Sequence, residues 1–320
     1  MLLPINKTPL ITSRDPESYV FSMLTQDKYE HLPFLLSHYI SIVAYDNLEK
    51  HGIILGYNNN YEDYYHWQSG EIILDTFQVP NYAAYKGVST AVAKKLINDG
   101  KYILGIWNEK YVAGKNAYRK NYMFGEFMLY GFDDKKSVFN SIGWIDNKYQ
   151  EFEMPYHIFD EALFLDEPSQ NMFWGARFCD ITHGFDITNI AKELCDFIVA
   201  DRNNSDSCAS GWRALEFFAQ KITTLSQDEI SIIQRELIFL CEYAHLMSMR
   251  ILYMIASNVI DSQLVYISSS IEAKIKRIIE EMNNLQYKTI SKEIIKIAVE
   301  YKSLCEKILH CLEANNEVTF

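Results

Sequence analysis

The sequence predicts an α+β domain followed by an all-helical one, and three observations carry that reading. Before about residue 204 the chain is rich in glycine, aromatic residues and short strand-like runs, whereas nearly everything after it reads as helix. Residues 124–134 and 137–144 give an apolar run, a tight Gly/Asp turn and a second apolar run, the pattern of a β-hairpin. In the C-terminal part, Ile230, Ile233, Leu237, Leu240, Ala244, Met247, Ile251 and Met254 recur at alternating steps of three and four, which is one face of a long helix.

Taken in order, residues 32–50 read as a helix with Pro33 in its first turn and Gly52 at its end. Residues 71–75 and 102–107 read as strands, and 89–98 between them as a helix closed by Asp99-Gly100. The hairpin at 127–143 follows, then a short helix or turn at 161–163, a strand at 172–178 and a helix at 186–200. The polar, turn-prone stretch 201–207 is the expected boundary, dividing the chain into 1–203 and 204–320. Beyond it come a helix at 212–222 and a capping box, Ser226 with Glu229, opening the long helix. Ser269 with Glu272 is expected to cap the next helix, and a third is expected to run from Lys292. Together these make an antiparallel bundle.

Composition narrows the function. Of 320 residues 48% are apolar and 22% charged, enough for a substantial core, and the formal charge of −12 argues against a general nucleic-acid binder or a basic membrane-surface protein. The first residues lack a charged region followed by an apolar one, and no stretch approaches the roughly 20 apolar residues that span a bilayer. The expectation is a cytoplasmic protein. The six cysteines form no C-x-x-C pair and no zinc-finger spacing, so no metal is expected. No glycine-rich phosphate loop is present, and no cofactor is expected.

Several residues are candidates for chemistry. Glu126 shares a strand face with Met128, and apolar neighbours would desolvate its carboxylate as an acid or base requires; a solvated edge position is the alternative. Ser37 and His38 are adjacent on the expected helix and point about 100° apart, so either a reactive position or a polar first-turn residue beside a half-buried imidazole fits. Cys179 and His183 have one-turn spacing, but Gly184 favours a loop there. His66-Trp67 could line an acyl-binding surface or simply pack. Glu242 and His245 lie one turn apart with no third metal ligand. Asp133 and Asp134 fit a turn.

The run Gly125-Glu126-Phe127-Met128-Leu129-Tyr130-Gly131-Phe132-Asp133 resembles the His-led hairpin of papain-like cysteine peptidases and acyltransferases. With Gly211-Trp212-Arg213-Ala214-Leu215-Glu216-Phe217-Phe218 and the helix carrying Glu242, His245, Met249 and Arg250, the chain resembles the butirosin-biosynthesis acyltransferase-like proteins of bacterial peptide-synthetase clusters. The resemblance implies a papain-like N-terminal domain, with a central antiparallel sheet and core helix, joined to a helical bundle. The implied activity is acyl transfer or amide formation from a carrier-protein thioester to a small amine. The implied partner is an acyl or peptidyl carrier protein.

The family's reactive residues are not all here. No cysteine precedes residue 179, Gly125 stands where the catalytic imidazole belongs, and the orienting residue falls near Asn140 or Ser141. Ser37, His38, Glu126 and Asn140 are therefore the expected site. The alternative is a catalytically inactive relative that binds a synthetase or carrier protein.

Overall fold

The strand–turn–strand pattern at 124–144 lies within a six-stranded antiparallel sheet. The computed structural model describes residues 1–24, 32–47, 52–57, 74–79, 88–120, 122–146, 148–163, 173–178, 184–200, 207–225, 230–282 and 284–315. The protein is of mixed α+β class, and its contacts group into two units. One comprises Met1–Lys28 with Glu62–Thr182, the other Tyr29–Tyr61 with His183–Phe320. Residues 29–61, which precede the expected boundary, thus group with the C-terminal helices.

In the first unit the strand order is β3 (Leu74–Val79), β8 (Phe173–Phe178), β4 (Tyr102–Asn108), β5 (Phe124–Asp133), β6 (Val138–Ile145), β7 (Lys148–Pro155). Its neighbours pair antiparallel throughout. Among the described residues three helices pack on this sheet: α1 (Asp15–Leu24), α3 (Val88–Asn98) and α4 (Tyr156–Leu163). The α3 helix forms where expected, with Ala93, Leu96 and Ile97 buried and Gly100 taking the positive φ that ends it. Trp107 stacks on Phe127 with ring centroids 4.6 Å apart, and Phe159 of α4 meets both Phe127 and Phe139 edge-on. Gly131 has a separate role. Residues 1–3 pair with β5 there, and a Cβ on Gly131 would lie 2.6 Å from Leu2 Cδ2 and 2.7 Å from the Met1 carbonyl. The turn is built as its aspartates predict, the Asp133 carboxylate accepting from the Lys135 and Lys136 amides at 2.9 and 3.4 Å.

The second unit holds a three-stranded antiparallel sheet in the order β2 (Gly52–Tyr57), β1 (Ile42–Asn47), β9 (Cys208–Ser210). Here the expected 32–50 helix is corrected. The helix α2 covers only Leu32–Ser37, Tyr39 takes a φ of +63°, and the chain continues as β1. The β-branched and aromatic residues Ile42, Val43 and Tyr45 prefer the extended backbone, and pairing with β2 and β9 satisfies it. Gly52 accordingly opens a strand rather than closing a helix.

The remaining helices are α5 (Ile187–Val199), α6 (Trp212–Ile222), α7 (Ile230–Ala256), α8 (Leu264–Glu281) and α9 (Tyr287–Ala314). Asp186 caps α5 by accepting from the Asn189 amide. The α8 helix begins five residues before Ser269, so Ser269 is interior to it, and α9 begins at Tyr287 rather than Lys292. The Ser226–Glu229 capping box lies outside the described residues. The α6 and α9 helices pack together, as do α7 with α8 and α9 with α5 and α8. Among the described residues one segment, Ile233–Ala256, is long and apolar enough to cross a membrane by length and composition, and 56% of its most apolar window is buried in the fold. The buried helix of a bundle meets the same criterion.

The core of this unit has an alkaline liability. Tyr243, Tyr301 and Cys305 are fully buried, and burial pushes all three up, the Cys305 thiol from 9.0 to about 12. The folded chain therefore holds protons that the unfolded chain has released. Stability is fully retained below pH 9 and falls as pH rises from about 9 towards 12. Urea midpoints measured between pH 7 and 11 should be flat at first and then decline. A thiol reagent that labels Cys305 in native protein at pH 8 would contradict this burial.

Candidate functional site

Ser37 and His38 sit in a turn whose backbone is held by side chains. The Ser37 hydroxyl is fully buried; it donates to the Pro33 carbonyl at 2.7 Å and accepts the Asp186 amide at 2.7 Å. Asn189 Nδ2 donates to the Ser37 carbonyl at 2.6 Å and to Glu193 Oε1 at 3.2 Å. Glu193 Oε2 accepts the amides of Ile40 and Ser41 at 2.8 and 3.2 Å. Tyr243 donates to the Ile40 carbonyl at 2.9 Å. Arg250, also fully buried, donates through Nε to the Leu36 carbonyl and through Nη2 to the His38 carbonyl, each at 2.6 Å. An irregular turn buried away from water needs its polar groups paired, and α5 and α7 supply the partners.

Ser37 is thus an architectural residue in this turn. Its replacement by alanine should cost about 1 kcal/mol, because the Asp186 amide loses its acceptor. Urea denaturation measures that cost. A variant as stable as wild type would show the hydroxyl to be dispensable.

Glu126 and Asn140 belong to the other unit, and strand register separates them. Glu126 lies on β5 opposite Ile106, while Asn140 lies on β6 opposite Gly131 and beside Glu153 of β7. Gly131 is five residues along β5 from Glu126, about 17 Å of strand. Neither position supplies the other with an orienting hydrogen bond across the hairpin. Glu126 is half-buried, and its carbonyl accepts the Tyr19 hydroxyl of α1 at 3.0 Å. The Ser141 hydroxyl is fully buried and donates to the Met128 carbonyl at 2.7 Å, tying β6 to β5.

Gly125 is explained by a residue that sequence reading missed. A Cβ at Gly125 would fall 2.1 Å from Oε1 of Glu109 and 2.5 Å from its carboxyl carbon. Glu109 follows β4, and its carboxylate pairs with Lys115 Nζ at 2.9 Å, with side chains only 12% and 7% exposed. The space that an imidazole would need is therefore occupied by a buried ion pair. Asn108, also buried, accepts the Lys110 and Met123 amides on its side-chain oxygen at 3.1 and 3.4 Å. Glu109 donates its amide to the Met123 carbonyl at 2.8 Å, and Arg119 donates its amide to the Lys110 carbonyl at 2.9 Å. The described residues between Glu109 and Met123 thereby form a loop with closed ends, pinned from beneath by Glu109.

The α1 helix, at 15–24, packs on both strands of the β5–β6 hairpin. Its approach is unusually polar: Ser13, Arg14, Glu17, Ser18 and Ser22 are all buried. Arg14 Nη1 donates to the Ser13 carbonyl at 2.8 Å, Ser18 bonds the Arg14 carbonyl, and Ser22 shares a 2.9 Å hydrogen bond with Tyr149. Sequence reading missed this helix; Pro16 followed by Tyr19, Val20 and Met23 is the signal that would have found it.

His66, Trp67, Cys179 and His183 lie outside the described residues. His245 bonds Glu272 of α8 at 3.3 Å, and Lys276 holds the same carboxylate at 2.7 Å. Burial raises the Glu272 pKa, but hydrogen bonds to Lys276 and the nearby cations prevail, leaving it below its usual value. No group of three metal-ligating side chains occurs among the described residues. No protein-family model matches the chain, and no curated protein shows significant similarity to it.

Proposed function

We propose that this chain is a catalytically silent, papain-like protein that binds a peptide synthetase or its acyl or peptidyl carrier protein. One observation carries the reading: the Glu109 carboxylate fills the space at Gly125, where the resemblance puts the catalytic base. The buried, doubly bonded hydroxyl of Ser37 supports it, since a hydroxyl spent on backbone partners is a poor nucleophile. The resemblance puts the core helix at 32–50, but that segment is α2 and β1 and groups with the C-terminal helices, so the papain-like reading rests on the antiparallel sheet and its hairpin and not on that helix.

A second reading, acyl transfer from a carrier-bound thioester to a small amine, draws on Glu126. Its half-buried carboxylate sits on a strand anchored by Tyr19 and would serve as base for the amine. The two readings separate in one experiment. Purified protein is mixed with an acyl-loaded carrier domain and a panel of amines, with binding followed by calorimetry and products by mass spectrometry. The binding reading expects a saturable complex and no amide above the uncatalysed background. Amide formation that disappears in Glu126→Gln would replace it with the second.

A further inference from the structure

The geometry points to the loop at 109–123 and the start of β5 as the docking surface for an acidic carrier domain. This rests on the binding role proposed above and assigns it a place. Between residues 110 and 125 the chain carries Lys110, Lys115, Arg119 and Lys120 and no acidic residue, in a protein whose formal charge is −12. Glu109 neutralises Lys115 beneath the loop. Lys110, Arg119 and Lys120 are exposed, and among the described residues none of them has a carboxylate partner. The adjoining β6–β7 turn adds one charge of each sign, Asp146 and Lys148, and Glu126, half-buried two residues beyond Phe124, reduces the local excess by one without cancelling the three exposed cations.

The cations are interleaved with rings. Lys110 lies 5.9 Å from the Tyr111 ring and Arg119 lies 4.9 Å from that of Tyr118. Tyr122 and Phe124 are 42% and 38% exposed and meet edge to face at 4.8 Å. The surface also needs little ordering on binding. Its ends are closed by the Glu109–Met123 and Lys110–Arg119 backbone bonds, and Val112 and Ala117 are buried beneath it. Three cations beside an aromatic pair fit a helix that presents carboxylates flanking an apolar side chain, and they fit the phosphate of a pantetheine arm at its edge. Charge complementarity selects an acidic protein as occupant.

The test uses the full chain and two probes: a phosphopantetheinylated carrier domain of net negative charge, and a helical peptide with one acidic face and no pantetheine. Binding is followed by fluorescence anisotropy at low and high salt. Wild type should bind the carrier domain, with affinity falling as salt rises. The triple reversal Lys110→Glu, Arg119→Glu, Lys120→Glu should weaken it by about tenfold or more, and Tyr122→Ala with Phe124→Ala should also weaken it. Reversal of Lys288, Lys292 and Lys307 on α9 is the control and should change affinity less than about twofold. Circular dichroism melts confirm that each variant folds.

The failures are distinguishable. Carrier binding that survives the triple reversal overturns this surface and leaves the proposed function standing. Patch-dependent binding of the peptide without carrier binding keeps an acidic docking surface but overturns its assignment to a carrier. Binding of neither probe overturns both. Tighter binding of single-stranded RNA than of the carrier domain, or a wild-type dimer dissolved by the reversal, also overturns the assignment.

Discussion

Gly125→His, the substitution that would restore the family's base, should unfold the protein more readily and create no activity. The new Cβ alone would sit 2.1 Å from Glu109 Oε1, so the carboxylate must leave its place. That breaks a pair whose side chains are 12% and 7% exposed and strands Lys115 in a poorly solvated site. Separating a buried ion pair costs about 3–5 kcal/mol. The carboxylate also underlies the 109–123 loop, so amide protons there should exchange faster as well. Gly125→Ala should show a reduced form of both effects, because it introduces the clash without the ring. Urea unfolding and hydrogen exchange measure the two consequences separately. A Gly125→His protein as stable as wild type would mean that Glu109 moves aside at little cost, and the imidazole site would then be open after all.

Arg250→Met should be comparably damaging in the other unit. The guanidinium is fully buried and satisfies the carbonyls of Leu36 and His38 together, each at 2.6 Å. Methionine matches much of the volume but leaves two buried acceptors without a donor, for a loss of about 3–5 kcal/mol. Arg250→Lys should recover only part of it, since a point-like ammonium cannot reproduce the planar fork that reaches both carbonyls. The turn itself should report the change: the Ile40 and Ser41 amides, which donate to Glu193, should exchange much faster in Arg250→Met. Loss of less than about 1 kcal/mol would imply that the turn finds other partners.

The elements that sequence reading placed well are those whose signal is local. The 124–144 hairpin has two apolar runs flanking an Asx turn, and it forms. Residues 186–200 carry their own cap and apolar face, and the helix runs Ile187–Val199. Residues 32–50 misled because Leu32, Leu35 and Leu36 begin a real helix, while the extended preference of Ile42 and Val43 is realised only by pairing with β2 and β9. The candidate site was less legible for the same reason at longer range. Ser37 reads as a stand-in nucleophile until Asp186 is seen to donate to it, 149 residues away in sequence. Gly125 reads as a lost histidine until Glu109 is found above it. Arg250 reaches its carbonyl 214 residues upstream, a distance over which no periodicity in the chain can speak.

The order of strands in the smaller sheet has a consequence during synthesis. The β1–β2 hairpin is complete at residue 57, but β9, which pairs with the open edge of β1, spans 208–210. A ribosome working at about 5–20 residues per second needs about 8–30 s to make the intervening chain. For that interval a hairpin containing Ile42, Val43, Ile53 and Leu55 is offered to the cell with a vacant hydrogen-bonding edge, and two strands alone are marginally stable in water. Nascent chains stalled shortly before residue 208 should therefore be the form of this protein that holdase chaperones retain most strongly.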